Sequence, residues 1–151
     1  MKLKLFKKVI DSILSIYELP CHIEENRKEE TLSYSLFPNL IFFHKIKAFT
    51  IQIQKNFFIL DILGWKIMEK IETEEFSAYQ EVYQLEVFQI IEDFFQRKIK
   101  IKLFLTRGKP YLWEIYRLNQ DGWNLFHKYR KSFSFHKKHF MELDFDSLKN
   151  K

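Results

Sequence analysis

Two histidines near the carboxyl end of the chain have the spacing of a metal-binding pair. His136 and His139 lie three positions apart, and Asp144 and Asp146 follow shortly after them. A helix would bring both imidazoles to one face, but the alternation of this segment is typical of a strand. Zinc sites also need further ligands at set spacings, which this segment does not supply. We therefore predict no metal site and no cofactor.

Nucleophilic and phosphate-binding motifs are also missing. Cys21 and His22 are adjacent, which matches no known thiolate-imidazole pair, so the cysteine is interpreted as structural. Phosphate-binding loops need clustered glycines, whereas Gly64, Gly108 and Gly122 lie far apart. A Gly-x-Ser-x-Gly nucleophile motif is absent. The sequence thus favours a protein that is not an enzyme.

His127 is the strongest candidate for acid-base or ligand-orienting chemistry. We place the preceding hairpin loop at Gln120–Gly122, with the glycine in the left-handed region, because a one-residue slip would move a whole strand to the wrong face. The candidate pocket then consists of Trp113, Ile115, His127 and Tyr129. Since no carboxylate falls on the same strand face, a hydrogen-bonded core histidine is the favoured interpretation.

Charge is distributed unevenly along the 151 residues, whose formal net charge is +5. Between Glu69 and Asp93 there are eight acidic residues against Lys70 alone, and between Arg97 and His139 there are twelve basic residues against two acidic ones. Such a layout bears on partners rather than on fold, because complementary charge speeds association. The candidate contacts for a protein partner are Glu72, Glu74, Glu75, Glu81 and Glu86.

The basic segment allows a different partner. Tyr116, Phe104 and Phe126 are predicted on the outer face of the basic strands, where aromatic rings could stack on the bases of single-stranded nucleic acid. No RNA-recognition signature is present in the sequence. Nucleic-acid binding therefore stays open as an alternative.

A long amphipathic helix must present the acidic residues. Thr73 can cap its start, and Arg97 and Lys98 lie at the end where cations are favoured. Its apolar stripe is wide enough to pack against a sheet face. The stripe consists of Phe76, Tyr79, Val82, Tyr83, Val87, Phe88, Ile90, Ile91, Phe94 and Phe95.

Three antiparallel strands up to Phe135 are predicted to follow this helix. Residues 99–105 alternate between aliphatic and other side chains, and the register across the next turn places Lys102 opposite Glu114. At the second turn, the loop Gln120–Gly122 pairs Trp113 with Tyr129 and Ile115 with His127. A two-residue loop, Asp121-Gly122, would pair Trp113 with Arg130 instead, and we reject it.

The amino-terminal half supplies a helix and a hairpin. A helical stripe from Leu3 to Tyr17 ends at Pro20, residues 24–30 are predicted to form a loop, and Pro38-Asn39 breaks a strand. Residues 46–54 and 57–63 form the hairpin. We predict a single α+β domain over residues 1–151, with one antiparallel sheet of about four to six strands. The amino-terminal helix and the long central helix cover one face of that sheet.

Composition indicates the compartment. The single cysteine, Cys21, suits a reducing environment, and the amino-terminal apolar stretch is interrupted by Asp11 and Glu18, unlike a signal peptide. No uninterrupted apolar run approaches the roughly 20 residues of a membrane-spanning helix. We predict a cytoplasmic protein without a membrane span.

The stretch from Leu112 to Leu125, in which an aromatic strand runs into Asp121-Gly122-Trp123, resembles the closing hairpin of the nuclear-transport-factor-2-like, or cystatin-like, cone fold. The order of a helix, strands, a helix and further long strands is also similar to that superfamily. The resemblance implies a cone-shaped sheet around a pocket. It also implies a range of functions, because the fold hosts enzymes, binding modules and immunity proteins of bacterial toxin systems.

The absent catalytic motifs and the charge layout favour a non-enzymatic protein-binding module. The concrete hypothesis is a bacterial immunity or antitoxin-type protein that binds and neutralises a cognate toxin domain. The alternatives are a cone-fold small-molecule binder or enzyme with a pocket around His127, and a nucleic-acid-binding module that uses the basic strands. The sequence does not indicate an oligomeric state.

Overall fold

The structure, a computed structural model, describes residues 2–42, 46–54, 57–70, 82, 84–132 and 139–149. Within this part it contains three helices and nine strands, which confirms the α+β class. The chain divides into two compact units: residues 1–41 with 46–89, and residues 42–45 with 90–151. The single domain remains a prediction.

The first unit contains a helix and most of a five-stranded antiparallel sheet. The helix α1 spans Lys2–Tyr17, close to its predicted bounds. The strand order follows the sequence, β1-β2-β3-β4-β5. The strands are β1 Cys21–Asn26, β2 Thr31–Phe42, β3 Ile46–Gln54, β4 Phe57–Ile62 and β5 Trp65–Lys70.

Aromatic packing forms the centre of the first unit. The ring centroids of Phe6 in α1 and Phe58 in β4 lie 6.2 Å apart, and Phe88 lies 4.9 Å from Phe58 and 6.4 Å from Phe6. All three side chains are buried. The predicted apolar stripe of α1 is therefore the surface that packs onto the sheet.

Two predictions about the amino-terminal half are wrong. Residues 24–30 are not all loop, because β1 extends to Asn26, whose side chain accepts hydrogen bonds from the amides of Lys28 and Glu29 in a tight turn. The strand does not break at Pro38-Asn39, since β2 continues to Phe42. Phe37 has a φ of 52° and donates its amide to the carbonyl of Pro20, an irregularity of the kind that accommodates proline in a strand.

The second unit contains a four-stranded antiparallel sheet of order β8-β7-β6-β9. The prediction of one sheet is thus wrong, because the nine described strands form two sheets. The new strands are β6 Ile99–Thr106, β7 Lys109–Asn119, β8 Gly122–Arg130 and β9 His139–Leu143, followed by a short helix, α3, at Phe145–Lys149. The remaining helix, α2, spans Glu86–Phe95, and the boundary between the units falls inside it.

The predicted long central helix is not continuous over the described residues. Residues 71–81 and 83 lie outside them, and Gln84 and Leu85 form a turn and a bend before α2 begins. The carbonyl of Leu85 accepts hydrogen bonds from the amides of Phe88 and Gln89, so Leu85 occupies the N-cap position of the helix. The amides of Glu86 and Val87 donate to the carboxylate of Glu69 in β5. The helix therefore starts where the neighbouring strand offers an acceptor.

The apolar stripe is confirmed for the part of the helix that is described. Seven of its predicted side chains are almost completely buried: Val82, Val87, Phe88, Ile90, Ile91, Phe94 and Phe95. Phe94 and Phe95 pack against Phe145 of α3, with ring centroids 6.1 and 5.1 Å apart. The polar residues between them consequently face away from these contacts.

The predicted strand register is confirmed, although the loop and the bulge that produce it were not predicted. Lys102 pairs with Glu114, Trp113 with Tyr129 and Ile115 with His127, as predicted. The loop, however, is Gln120-Asp121, which pairs Asn119 with Gly122, and a bulge beside Ile115 restores the predicted alignment further along. The side chain of Asn119 accepts the amide of Asp121 and stabilises this shorter turn.

Replacing Phe58 with alanine should lower the free energy of unfolding by about 3–5 kcal/mol, because the change leaves a cavity between two packed rings. Urea denaturation would measure the loss. Phe57→Ala is the matched control: this neighbouring ring is 42% exposed, and its removal should cost less than about 1 kcal/mol. Equal losses in the two variants would contradict the assigned core.

Candidate functional site

One face of the four-stranded sheet carries lysines among aromatic side chains. Lys100 pairs with Tyr116, and Phe140 pairs with the residue two positions after Lys102. Trp123 pairs with the residue two positions after Tyr116. Because alternate residues share a face, these side chains lie on one side of the sheet. We call this surface the lysine-aromatic face: Lys100, Lys102, Tyr116, Trp123 and Phe140.

The opposite face of the sheet is the apolar side of the second unit. Ile101, Leu103 and Ile115, which alternate with the residues of the lysine-aromatic face, are all buried. Arg117 also belongs to this side, and its Nε donates to Asp93 of α2 over 2.7 Å. The sheet thus has one covered face and one that can meet a partner.

The lysine-aromatic face is open over part of the sheet. Trp123 is 39% exposed and Phe140 49% exposed. Towards one end the same side is covered, since Phe104 and Leu112 are only 7% and 2% exposed. Scattered exposed apolar residues are ordinary, but several grouped on one sheet face indicate an interaction surface.

Each exposed ring at the ends of this face lies under an ammonium group. Lys100 Nζ lies 4.4 Å from the ring centroid of Trp123, and Lys102 Nζ lies 4.2 Å from that of Phe140. Such cation–π contacts contribute about 0.5–1 kcal/mol at exposed sites. The face therefore combines flat π surfaces with adjacent positive charge at two separate points.

Tyr116 lies between these two points. Its hydroxyl donates to Glu114 over 3.0 Å, and Lys128 Nζ lies 3.7 Å from the same carboxylate. Burial raises the pKa of Tyr116, and the hydrogen bond to Glu114 and the charges of Glu114 and Glu142 raise it further. The phenol therefore stays neutral and oriented near physiological pH.

Of the three aromatic residues predicted for stacking, only Tyr116 belongs to the lysine-aromatic face in its open region. Phe104 is buried, and Phe126, although 36% exposed, lies at the bulge with the guanidinium of Arg117 5.0 Å from its ring centroid. Sequence reasoning missed Trp123, because the three-residue loop would place it on the apolar side. The signal that could have found it was Asn119, whose side chain favours the tighter turn.

The candidate pocket residues are split between core and surface. Trp113 and Ile115 are buried, whereas His127 and Tyr129 are exposed. The rings of Trp113 and Tyr129 are in contact, with centroids 5.3 Å apart. The interpretation of His127 as a core histidine is wrong, because β8 is an end strand of the described sheet and its side chains reach solvent. The pocket itself stays a prediction.

Of the predicted contact glutamates, the structure describes Glu86, while Glu72, Glu74, Glu75 and Glu81 lie outside the described residues. Glu86 is exposed at the start of α2. No ion pair joins it to a base in the described part of the chain. Burial raises the pKa of Glu69, and the charge of Glu86 raises it further. The two carboxyl groups therefore lie close together.

The remaining candidate catalytic and metal-binding residues do not form a cluster within the described residues. No group of three or more His, Cys, Asp or Glu side chains within the described ranges could hold a metal ion. His139 is exposed, and His136 lies outside those ranges. Burial, followed by the charge of Asp11, raises the pKa of the Cys21 thiol, which disfavours the reactive thiolate. No helix among the described residues has the length and apolarity to cross a membrane.

Replacing Glu114 with glutamine should lower the pKa of the Tyr116 phenol towards its ordinary value, because the change removes a negative charge beside it, while burial continues to raise it. A nuclear magnetic resonance titration would measure this pKa. Because folding raises the pKa of this phenol, its protonated form contributes to the free energy of unfolding at neutral pH. That contribution is lost as the pH rises through the pKa of the phenol in the folded protein. The control is Glu30→Gln in the turn of the first unit, which should leave the titration of Tyr116 unchanged.

Comparison of the chain with protein-family models, curated proteins and solved structures finds no match. The resemblance to the nuclear-transport-factor-2-like superfamily therefore stays a prediction.

Proposed function

We propose that this chain is a non-enzymatic binding protein that holds single-stranded nucleic acid on the lysine-aromatic face. The observation that carries the proposal is the pair of lysine-over-ring contacts on an exposed sheet surface, at Trp123 and Phe140. This is the alternative that the basic strands suggested.

The chemistry of the face suits a nucleotide. A base can stack on an aromatic ring for about 1–3 kcal/mol, and a lysine beside it can neutralise the attached phosphate. Displacing an ammonium group from an exposed ring costs only about 0.5–1 kcal/mol. Stacking therefore exceeds the cost of moving Lys100 or Lys102 aside, and the ammonium group remains close enough to meet a phosphate.

Single strands are favoured over duplexes. In a duplex the base faces are stacked on one another, so rings that project from a sheet cannot reach them. Neither Trp123 nor Phe140 needs a groove, because both project from a sheet surface with exposed area. A strand with unstacked bases can lie across such a surface.

Charge on the face limits the affinity. Glu114 and Glu142 both pair with Lys102 in the sheet register, although Lys128 also lies beside Glu114. The local positive charge is therefore modest. We expect binding that is measurable at low salt and weak at physiological salt, since each phosphate contact adds to the salt dependence.

Replacing Lys100 and Lys102 with glutamine should weaken binding of labelled oligothymidylate and reduce the slope of log affinity against log salt by about 0.7 for each lost contact. Fluorescence anisotropy at several salt concentrations would measure both effects. The matched control is Lys66→Gln with Lys70→Gln, which removes two exposed lysines of β5. Equal weakening in both double variants would contradict the assigned face. So would equal competition by polyglutamate, which carries charge without bases.

Capture of a protein partner is the second candidate function, favoured by the exposed Glu86 beside Glu69. In its concrete form, the chain is a cytoplasmic immunity or antitoxin-type protein that binds a basic toxin domain. The other proposed contacts are Glu72, Glu74, Glu75 and Glu81. The buried apolar stripe of α2 supports this proposal, because Glu86 then lies on the side that faces solvent.

Reversing Glu86 to lysine should slow association with a basic protein partner, because complementary charge mainly increases the association rate. Surface plasmon resonance with a candidate toxin domain encoded beside this chain would measure the rate. Glu29→Lys, an exposed position in the turn of the first unit, serves as the charge-matched control. An unchanged rate for Glu86→Lys would remove this surface from the contact.

A further inference from the structure

We infer that the nucleic-acid strand crosses the four-stranded sheet diagonally, from Phe140 at one end to Trp123 at the other. This inference rests on the proposed function and adds the path and the length of the site. It follows from the strand register, which places one residue of the lysine-aromatic face on each strand along that diagonal.

The register defines the path step by step. Phe140 on β9 pairs with Phe104, and Lys102 on β6 lies one same-face position beyond it. Tyr116 on β7 pairs with Lys100, one same-face position beyond Lys102. Each step thus crosses to the next strand and advances two residues.

The last step has the same form. Trp123 on β8 pairs with Leu118, which lies two residues beyond Tyr116 on β7. Lys100 reaches over the ring of Trp123, just as Lys102 reaches over the ring of Phe140. Both ends of the path therefore carry a ring with an ammonium group, and Tyr116 lies between them.

The length of the path follows from sheet geometry. Neighbouring strands lie about 4.8 Å apart and two residues advance about 6.8 Å, so three diagonal steps cover about 25 Å. A strand with duplex-like stacking advances about 3.4 Å per nucleotide and needs about seven nucleotides for this distance. A stretched strand needs about four, which lies within the range of single-strand binding sites. Shorter oligonucleotides can occupy only one end at a time.

Oligonucleotides that reach one end of the path can therefore be compared with oligonucleotides that reach both ends. Trp123→Ala and Phe140→Ala are tested with oligothymidylates of about two and about ten nucleotides, by isothermal titration calorimetry. With the long strand, each substitution should weaken binding at least about fivefold, since one stacked base is lost. With the short strand, each should weaken binding only about twofold, because the other end still binds; the double variant should lose it.

Fluorescence of the unaltered protein gives an independent readout. Trp65 and Trp113 are 1% and 3% exposed, so quenching by added bases would report Trp123. Phe57→Ala, which removes a similarly exposed ring from β4, should leave binding of both strands unchanged. Circular dichroism of each variant would verify that the sheet is retained.

The possible outcomes separate the two proposals. A loss that depends on strand length supports the diagonal path. Equal losses with short and long strands, or no loss in either ring variant while the lysine variants still weaken binding, would overturn the path and leave sheet-face binding intact. If the unaltered protein binds neither strand at low salt, the proposed function itself is overturned.

Discussion

The two-residue alternation of the four-stranded sheet is the constraint on which the proposed site depends. Burial of each aliphatic side chain such as Ile101 or Ile115 contributes about 1.5–3 kcal/mol, which exceeds the contribution of an exposed cation–π pair. The apolar side therefore determines the register. Lys100, Lys102 and Tyr116 reach the other side as a consequence, because they occupy the intervening positions. The collection of lysines and rings on one face thus follows from core packing.

Because of the bulge beside Ile115, β8 contributes aromatic side chains to both faces of the four-stranded sheet. The short loop alone would place Trp123 with the lysines but would turn Tyr129 away from Trp113. The extra residue at the bulge reverses the alternation, so that Trp123 lies on the lysine-aromatic face while Tyr129 packs beside Trp113. Bulges are frequent in end strands, where they change the direction of side chains. Here one irregular position lets a single strand contribute an exposed ring to the lysine-aromatic face and a second ring to the apolar side.

Predictions from the sequence are correct where the apolar periodicity of an element agrees with its packing in the core. The stripe of α1, the alternation of β6 and the pairing of Trp113 with Tyr129 all follow from apolar side chains that seek one face. The sequence does not reveal where α2 begins, because its start depends on Glu69, which is distant in the chain and caps the helix from β5. The sequence also does not reveal on which face of the sheet Trp123 lies, because turn residues such as Asn119 shift the register by one position without changing the apolar pattern. Both failures arise from local polar contacts that override a regular pattern.

The lysines on the lysine-aromatic face counteract the tendency of its exposed rings to associate in water. Exposed aromatic rings grouped on a sheet promote self-association. Lys100 and Lys102 place ammonium groups over the rings of Trp123 and Phe140, so like charges would oppose the contact of two such faces. Because each ammonium group is held by only about 0.5–1 kcal/mol, a stacking base can displace it without a change in the backbone. In the proposed complex the same lysine would lie beside the phosphate, so the group that covers the ring in the absence of a ligand would also contribute to binding.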